Sequence, residues 1–266
     1  MNEAPAASTD WPSLAEIRRA STEGTGKGVR VAVIDSGIEV DHPRLKEANI
    51  IDSISFEEQG GSIEIIEDDP RDSFGHGTAV ADIIHRHAPE AELGSFRVID
   101  ARSVSRTHLI CAGVREAIKR DYHILNCSFG CRGLAKFILP HKEWADEAFL
   151  KGIHVVAACS NIDSDEAEWP SHFTSVFGVD LADTSDDETY FRSDHLVSFS
   201  ASGENEEVAW LNGGIQVQTG TSFAAPKISA HIARILSVHP GIPPSMMYSF
   251  LSFVSKPWHS GLGSDW

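Results

Sequence analysis

Short β-branched runs alternate along the chain with stretches whose apolar residues recur at helical spacing. The pattern predicts strands over Arg30–Ile34, Ala91–Val98, Ile124–Ser128, His154–Cys159 and Ser175–Val179, with a further one over Val197–Ser200. Helices are predicted over Ser13–Thr22, Gly77–His87, Thr107–Arg120, Pro140–Leu150, Ser222–His239 and Pro244–Val254. Strands that read as near-continuous apolar runs, separated by helices, imply an α/β fold: a mostly parallel central sheet with helices on both faces. No internal repeat, low-complexity block or linker divides the chain. Residues 11–266 are therefore read as one domain, and residues 1–10 as a flexible tail.

Composition narrows the function classes. At 266 residues, 41% hydrophobic and 23% charged, the chain can bury one large core and reads as soluble and globular. No apolar run has the length of a membrane span, and the first ten residues lack the basic end and apolar block of a secretory signal. The net charge of −17 argues against nucleic acid and anionic membrane as partners. Solubility is its simplest meaning; attraction of basic peptides is the sharper one. Cys111, Cys127, Cys131 and Cys159 sit in or beside apolar segments, which suits buried thiols in a reducing compartment, so a cytoplasmic location is expected. Cys127 and Cys131 lie four apart, but no second pair or nearby histidine completes a zinc pattern.

The chemistry collects where strands end and helices begin. Asp35 closes an apolar strand in Val31-Ala-Val-Ile-Asp-Ser-Gly37, at the carboxyl edge of a parallel sheet where ligands bind in such folds. There it can orient a histidine, or simply cap a turn. His76 stands between two glycines just ahead of an apolar helix, placed to carry a proton, or as one surface histidine of 13. His85 and His87 fit that second description. Ser222 lies in Gly220-Thr-Ser-Phe-Ala-Ala-Pro226, among small residues at a helix start, where negative charge is favoured. A serine hydroxyl needs a base at hydrogen-bond distance to become a nucleophile. Asn161 ends Val155-Val-Ala-Ala-Cys-Ser-Asn161, where its amide can donate to an oxyanion or form a turn. The chain order Asp, His, Ser is that of the subtilisin type of triad.

These segments, with Asn126-Cys-Ser-Phe-Gly130, resemble the subtilases, the subtilisin-like serine peptidases, from about Asp10 to near the C-terminus. The resemblance implies a subtilisin-like three-layer α/β fold and a serine endopeptidase working through an acyl-enzyme; no cofactor or metal is expected. It implies Asp35, His76 and Ser222 as the triad and Asn161 in the oxyanion hole. By the same resemblance, a peptide or protein substrate adds as a strand between Ser128-Phe129-Gly130 and an opposite edge at Ser103-Val104-Ser105. Ser128–Gly130 and Ala158, Cys159 and Ser160 would line the first specificity pocket.

The chain also departs from the family. It runs straight through residues 84–93, without the excursion that holds a tight calcium ion in secreted subtilisins. Phe223 replaces the usual Met, Ser160 the usual Gly, Ala79 a common second His and Asp82 a Gly. Ser160 and Cys159 are expected to narrow the pocket or make activity sensitive to thiol reagents. Asp35 comes too early for an inhibitory prodomain to precede it, so the chain is expected either to fold without one or to be a mature fragment. Asp163, Asp165, Glu166 and Glu168 follow Asn161 as a solvated loop, or else as negative charge at the pocket. The expected role is trimming of a precursor or leader peptide, with general turnover as competitor. The other class considered is a catalytically silent fold that only binds peptides. An esterase is disfavoured, because no Gly-x-Ser-x-Gly elbow surrounds Ser222.

Overall fold

The computed structural model describes residues 11–258, so the tail expected over 1–10 lies outside the described residues. Helix α1 (Leu14–Glu23) opens on a capping box in which the Ser13 hydroxyl accepts from the Glu16 amide and the Glu16 carboxylate from the Ser13 amide. There follow β1 (Arg30–Asp35), β2 (Asn49–Gln59), β3 (Ser62–Ile66), α2 (His76–His87), β4 (Glu92–Arg97), α3 (Thr107–Lys119) and β5 (Ile124–Cys127). The middle of the chain supplies β6 (Cys131–Arg132), α4 (Ile138–Leu150), β7 (His154–Ala158), β8 (Glu168–Trp169), β9 (Phe177–Ala182), β10 (Tyr190–Phe191) and β11 (Phe199–Ser202). The last elements are β12 (Glu206–Trp210), β13 (Gly214–Gln218), α5 (Thr221–Val238), α6 (Pro244–Val254) and β14 (Lys256–Pro257).

The main sheet has the order β14-β10-β11-β9-β7-β5-β1-β4-β2-β3, and the run from β11 to β2 is parallel throughout. Successive side chains of a strand face opposite sides, so each central strand feeds two cores. Val31, Val33, Val156 and Ala158 pack with α1, α2, α5 and α6. Ala32, Ile34, Val155 and Ala157 pack with α3 and α4, around the fully buried Trp144. This is the expected α/β architecture of three layers.

Several boundaries differ from expectation. The strands expected from Ser175 and Val197 each begin two residues later, because turns occupy the approach: the Val176 amide donates to Phe173 O, and the Ser198 hydroxyl to His195 O. Helix α4 starts at Ile138, two residues ahead of Pro140, which the first turn tolerates. The sequence pattern missed β2, β3 and the β12–β13 hairpin. β2 lies near the sheet edge and buries only Ile54, Ser55 and Phe56, so its apolar signal is weak.

Candidate active site

Asp35, His76, Asn161 and Ser222 are delivered to the same rim of the sheet by four different elements. Asp35 is the last residue of β1 and is fully buried. Its carboxylate oxygens lie 2.8 and 3.0 Å from His76 Nδ1, which donates to them. Oδ1 also accepts from the Ser36 amide at 2.7 Å. His76 opens α2, and the glycines around it serve close packing. Gly75 has φ 108°, and a Cβ there would lie 2.7 Å from the Trp210 indole. A Cβ on Gly77 would lie 2.1 Å from Gly37 O.

Burial of the imidazole opposes its protonation. The charge and hydrogen bond of Asp35, aided by the charge of Asp72, more than offset this and hold the His76 pKa above its ordinary value. Asp72 is the residue that sequence reasoning missed. One of its oxygens accepts from the Ser36 hydroxyl and the Phe74 and Gly75 amides; the other accepts from the amide and hydroxyl of Thr78. It thus gathers the turn ahead of α2 and the Thr78 amide of the helix's first turn onto one carboxylate. An Asp that bonds the amide two residues on, just before a helix, is a turn and cap signal that the sequence did carry.

Ser222 is the second residue of α5. Pro226 sits four residues on and has no amide proton, so it leaves Ser222 O unclaimed by the helix. The Ser128 hydroxyl fills that vacancy at 2.9 Å. Asn126 Nδ2 in turn donates to Ser128 Oγ, and Ser229 Oγ donates to Asn126 Oδ1, so a buried polar chain ties α5 to β5. Ser222 Oγ donates to Ser128 O at 3.2 Å. In this rotamer no hydrogen bond joins it to His76 among the described residues. The imidazole is nonetheless next door, its ring centroid 5.4 Å from that of Phe223.

Asn161 follows β7 by three residues. Its Oδ1 accepts from the Thr221 amide at 2.8 Å and lies 3.1 Å from the Thr221 hydroxyl, which is also 2.8 Å from Cys159 O. With the oxygen so held, Nδ2 is left as the donor. The Ser222 amide, in the first turn of α5, lacks a helical acceptor as well. Asn161 Nδ2 and the Ser222 amide are thus left as two donors at the start of α5.

The remaining predicted residues divide. Ser128 is buried, Phe129 is half-buried and Gly130 is exposed, on the segment that runs past Ser222. Ala158 and Cys159 are buried, while Ser160 Oγ accepts from the Ile162 and Asp163 amides and so caps its own turn. Burial first, and then the charge of Asp180, push the Cys159 thiol's pKa up, and its Sγ lies 3.5 Å from Asp180 Oδ1. Ser103 and Val104 do not form an extended edge, while Ser105 makes an isolated antiparallel bridge with Ile99. Ser103 has φ 57°, its amide donates to Asp100 O, and the Val104 amide and carbonyl both bond Asp100.

Three departures from the family pattern meet in one place. Phe223, Ala79 and Ile83 pack with Val208 and Trp210 of β12. Asp82 accepts from the Ala209 amide at 3.0 Å and pairs with Arg44 and Arg86. Together they seat the β12–β13 hairpin on α2, behind His76.

A sequence profile of the subtilase family matches residues 26–252. Over 181 residues the chain is 35% identical to "Subtilisin-like protease het-Q2" of Podospora anserina, a match covering 62% of this chain and 50% of that protein. It is 30% identical over 241 residues to subtilisin E of Bacillus subtilis (strain 168), covering 81% of this chain and 57% of that protein. The chain thus spans about half the length of the curated relatives it matches. Among solved structures it superposes on sphericase with a TM-score of 0.73 and 21% identity, over 94% of each chain. The S41 psychrophilic protease gives a TM-score of 0.73 at 22% identity, over 90% of this chain and 88% of that one. At such identities the structural likeness speaks to the fold, while the profile carries the lineage: the chain belongs to the subtilase family.

Proposed function

We propose that the chain is a serine endopeptidase that hydrolyses peptide bonds through an acyl-enzyme. The reading rests most on one observation, the buried Asp35 carboxylate 2.8 Å from His76 Nδ1. That bond fixes the tautomer, so Nε2 carries the lone pair. Ser222 Oγ turns from Ser128 O to Nε2, gives up its proton and attacks the carbonyl. Asn161 Nδ2 and the Ser222 amide hold the oxyanion. The imidazolium, stabilised by Asp35, then protonates the leaving amine, and water repeats the sequence on the ester. Substrate lies along Ser128–Gly130 by strand addition. The names of the relatives, protease and subtilisin, support the reaction class.

A fluorophosphonate probe tests this. The expected result is a label on the wild-type protein that disappears in Ser222→Ala and is suppressed in His76→Ala. A folded wild-type protein that takes no label between neutral and alkaline pH is instead the silent peptide-binding fold. The cellular role we propose is trimming of a precursor or leader peptide in the cytoplasm. Four free cysteines, three of them buried, support a reducing setting. Cells lacking the protein should accumulate discrete unprocessed precursors; a general slowing of protein turnover would contradict trimming.

A further inference from the structure

The acidic loop after Asn161 separates into unlike parts in the fold. Asp163 accepts from the Asp165 amide, Asp165 pairs with His195 at 2.9 Å, and Glu166 is exposed. Glu168 is different. It lies half-buried on β8, with its carboxylate pressed on Gly130: a Cβ at Gly130 would stand 2.4 Å from both its Cδ and Oε2. Among the described residues the carboxylate has neither an ion pair nor a hydrogen-bond donor. Burial, and then the charge of Glu166, push its pKa up. Arg132 faces it across the β6–β8 ladder but is exposed and forms no ion pair with it.

Glu168, Glu166 and Arg132 line a cleft of about 510 Å³ that also reaches Ser160, the residue before Asn161. Ser128, whose carbonyl lies 3.2 Å from Ser222 Oγ, stands two residues before Gly130. The cleft is thus walled by Ser160 and the acidic loop on one side and by Arg132–Leu134, the continuation of the Ser128–Gly130 segment, on the other, and Glu168 stands in its wall.

We propose that Glu168 is the specificity-determining residue of this site, selecting lysine or arginine as the residue that supplies the scissile carbonyl. The inference rests on the peptidase reading above. A basic side chain entering the cleft gives the unpartnered carboxylate a charge-assisted partner, with a gain of roughly 10- to 100-fold in kcat/KM. Leucine or phenylalanine leaves the carboxylate desolvated and unpaired, and glutamate is repelled. Arg132 competes for the same anion, so it weakens the preference.

The test uses peptides matched except for Lys, Arg, Leu, Phe or Glu before the scissile bond, cleaved by the wild-type protein, Glu168→Gln and Arg132→Gln. Fluorophosphonate labelling of each variant reports an intact site without reference to side-chain preference. The wild type is expected to favour Lys and Arg over Leu and Phe by roughly 10- to 100-fold. Glu168→Gln should erase that preference while still taking the label, and Arg132→Gln should widen it. Leu or Phe peptides cleaved as fast as Lys by the wild type would overturn the inference alone, as would a basic preference that survives Glu168→Gln. Failure of every peptide and of the label would remove the peptidase reading and this inference with it.

Discussion

Asp72→Ala is the most informative substitution outside the candidate triad. The carboxylate accepts from three amides and two hydroxyls. The hydroxyls of Ser36 and Thr78 can rotate to other acceptors or water. The amides of Phe74, Gly75 and Thr78 cannot. At roughly 1 kcal/mol for each fixed donor left in a part-buried site, the change costs about 3 kcal/mol. For a domain of this size that lowers Tm by roughly 6–12 °C. The measurement is thermal unfolding in a Ser222→Ala background, which prevents self-digestion. Activity should move in a direction that general destabilisation does not predict. Asp72 is one of the charges that raise the His76 pKa, so its removal shifts the acid limb of kcat/KM to lower pH. An unchanged Tm, or an acid limb that stays put or moves to higher pH, would refute the reasoning.

Asp35→Asn should lower kcat on the order of 10⁴-fold with little change in KM, since it removes the acceptor that sets the tautomer; a loss confined to KM would contradict this. The buried imidazoles of His141 and His154 are pushed down to about 4 by burial, from an ordinary value of 6.5. The unfolded chain therefore binds protons that the native state refuses. The stability these rings contribute is present above pH 6.5 and is lost as pH falls from there towards 4, by roughly 3 kcal/mol for each ring. Urea unfolding across that range checks the slope, and His154→Leu should flatten it. Maleimide at neutral pH should leave peptidase activity intact, because Cys159 is buried and its thiol is held protonated; rapid inactivation traced to that residue would contradict this. Asp82→Ala leaves the Ala209 amide without its acceptor and leaves Arg44 with Glu207 and Arg86 with Glu206 as partners, so hydrogen exchange across β12 and β13 should quicken while β1 and β5 stay protected.

The central strands were legible because they are buried on both faces and read as unbroken apolar runs, as Val31–Ile34 and Val155–Ala158 show. The helices were legible from their spacing. Asp35, His76 and Asn161 were singled out because each stands where a periodic segment starts or stops. What stayed hidden depends on partners distant in the chain. β3 pairs with β2 at the sheet edge and carries exposed Ile63 and Ile65, so its pattern marks no core face. Asp72 acts through amides that the fold brings to it. Ser103 and Val104 failed as an extended edge because Asp100 bends the segment into a turn, a local hydrogen-bonding choice that overrides the β-propensity of Val104. Glu168 looked like one more acid in a polar loop until its pairing with Arg132 in β6 and β8 turned it against Gly130.

A crystal structure of the protein reacted with a peptide boronic acid tests the central claim most directly. The account predicts boron bonded to Ser222 Oγ, one boron oxygen within hydrogen-bond distance of both Asn161 Nδ2 and the Ser222 amide, and His76 Nε2 turned to the adduct with its Nδ1 still on Asp35. A boronate held without a bond to Ser222, or an adduct whose oxygen points away from Asn161 with His76 detached from Asp35, would contradict it.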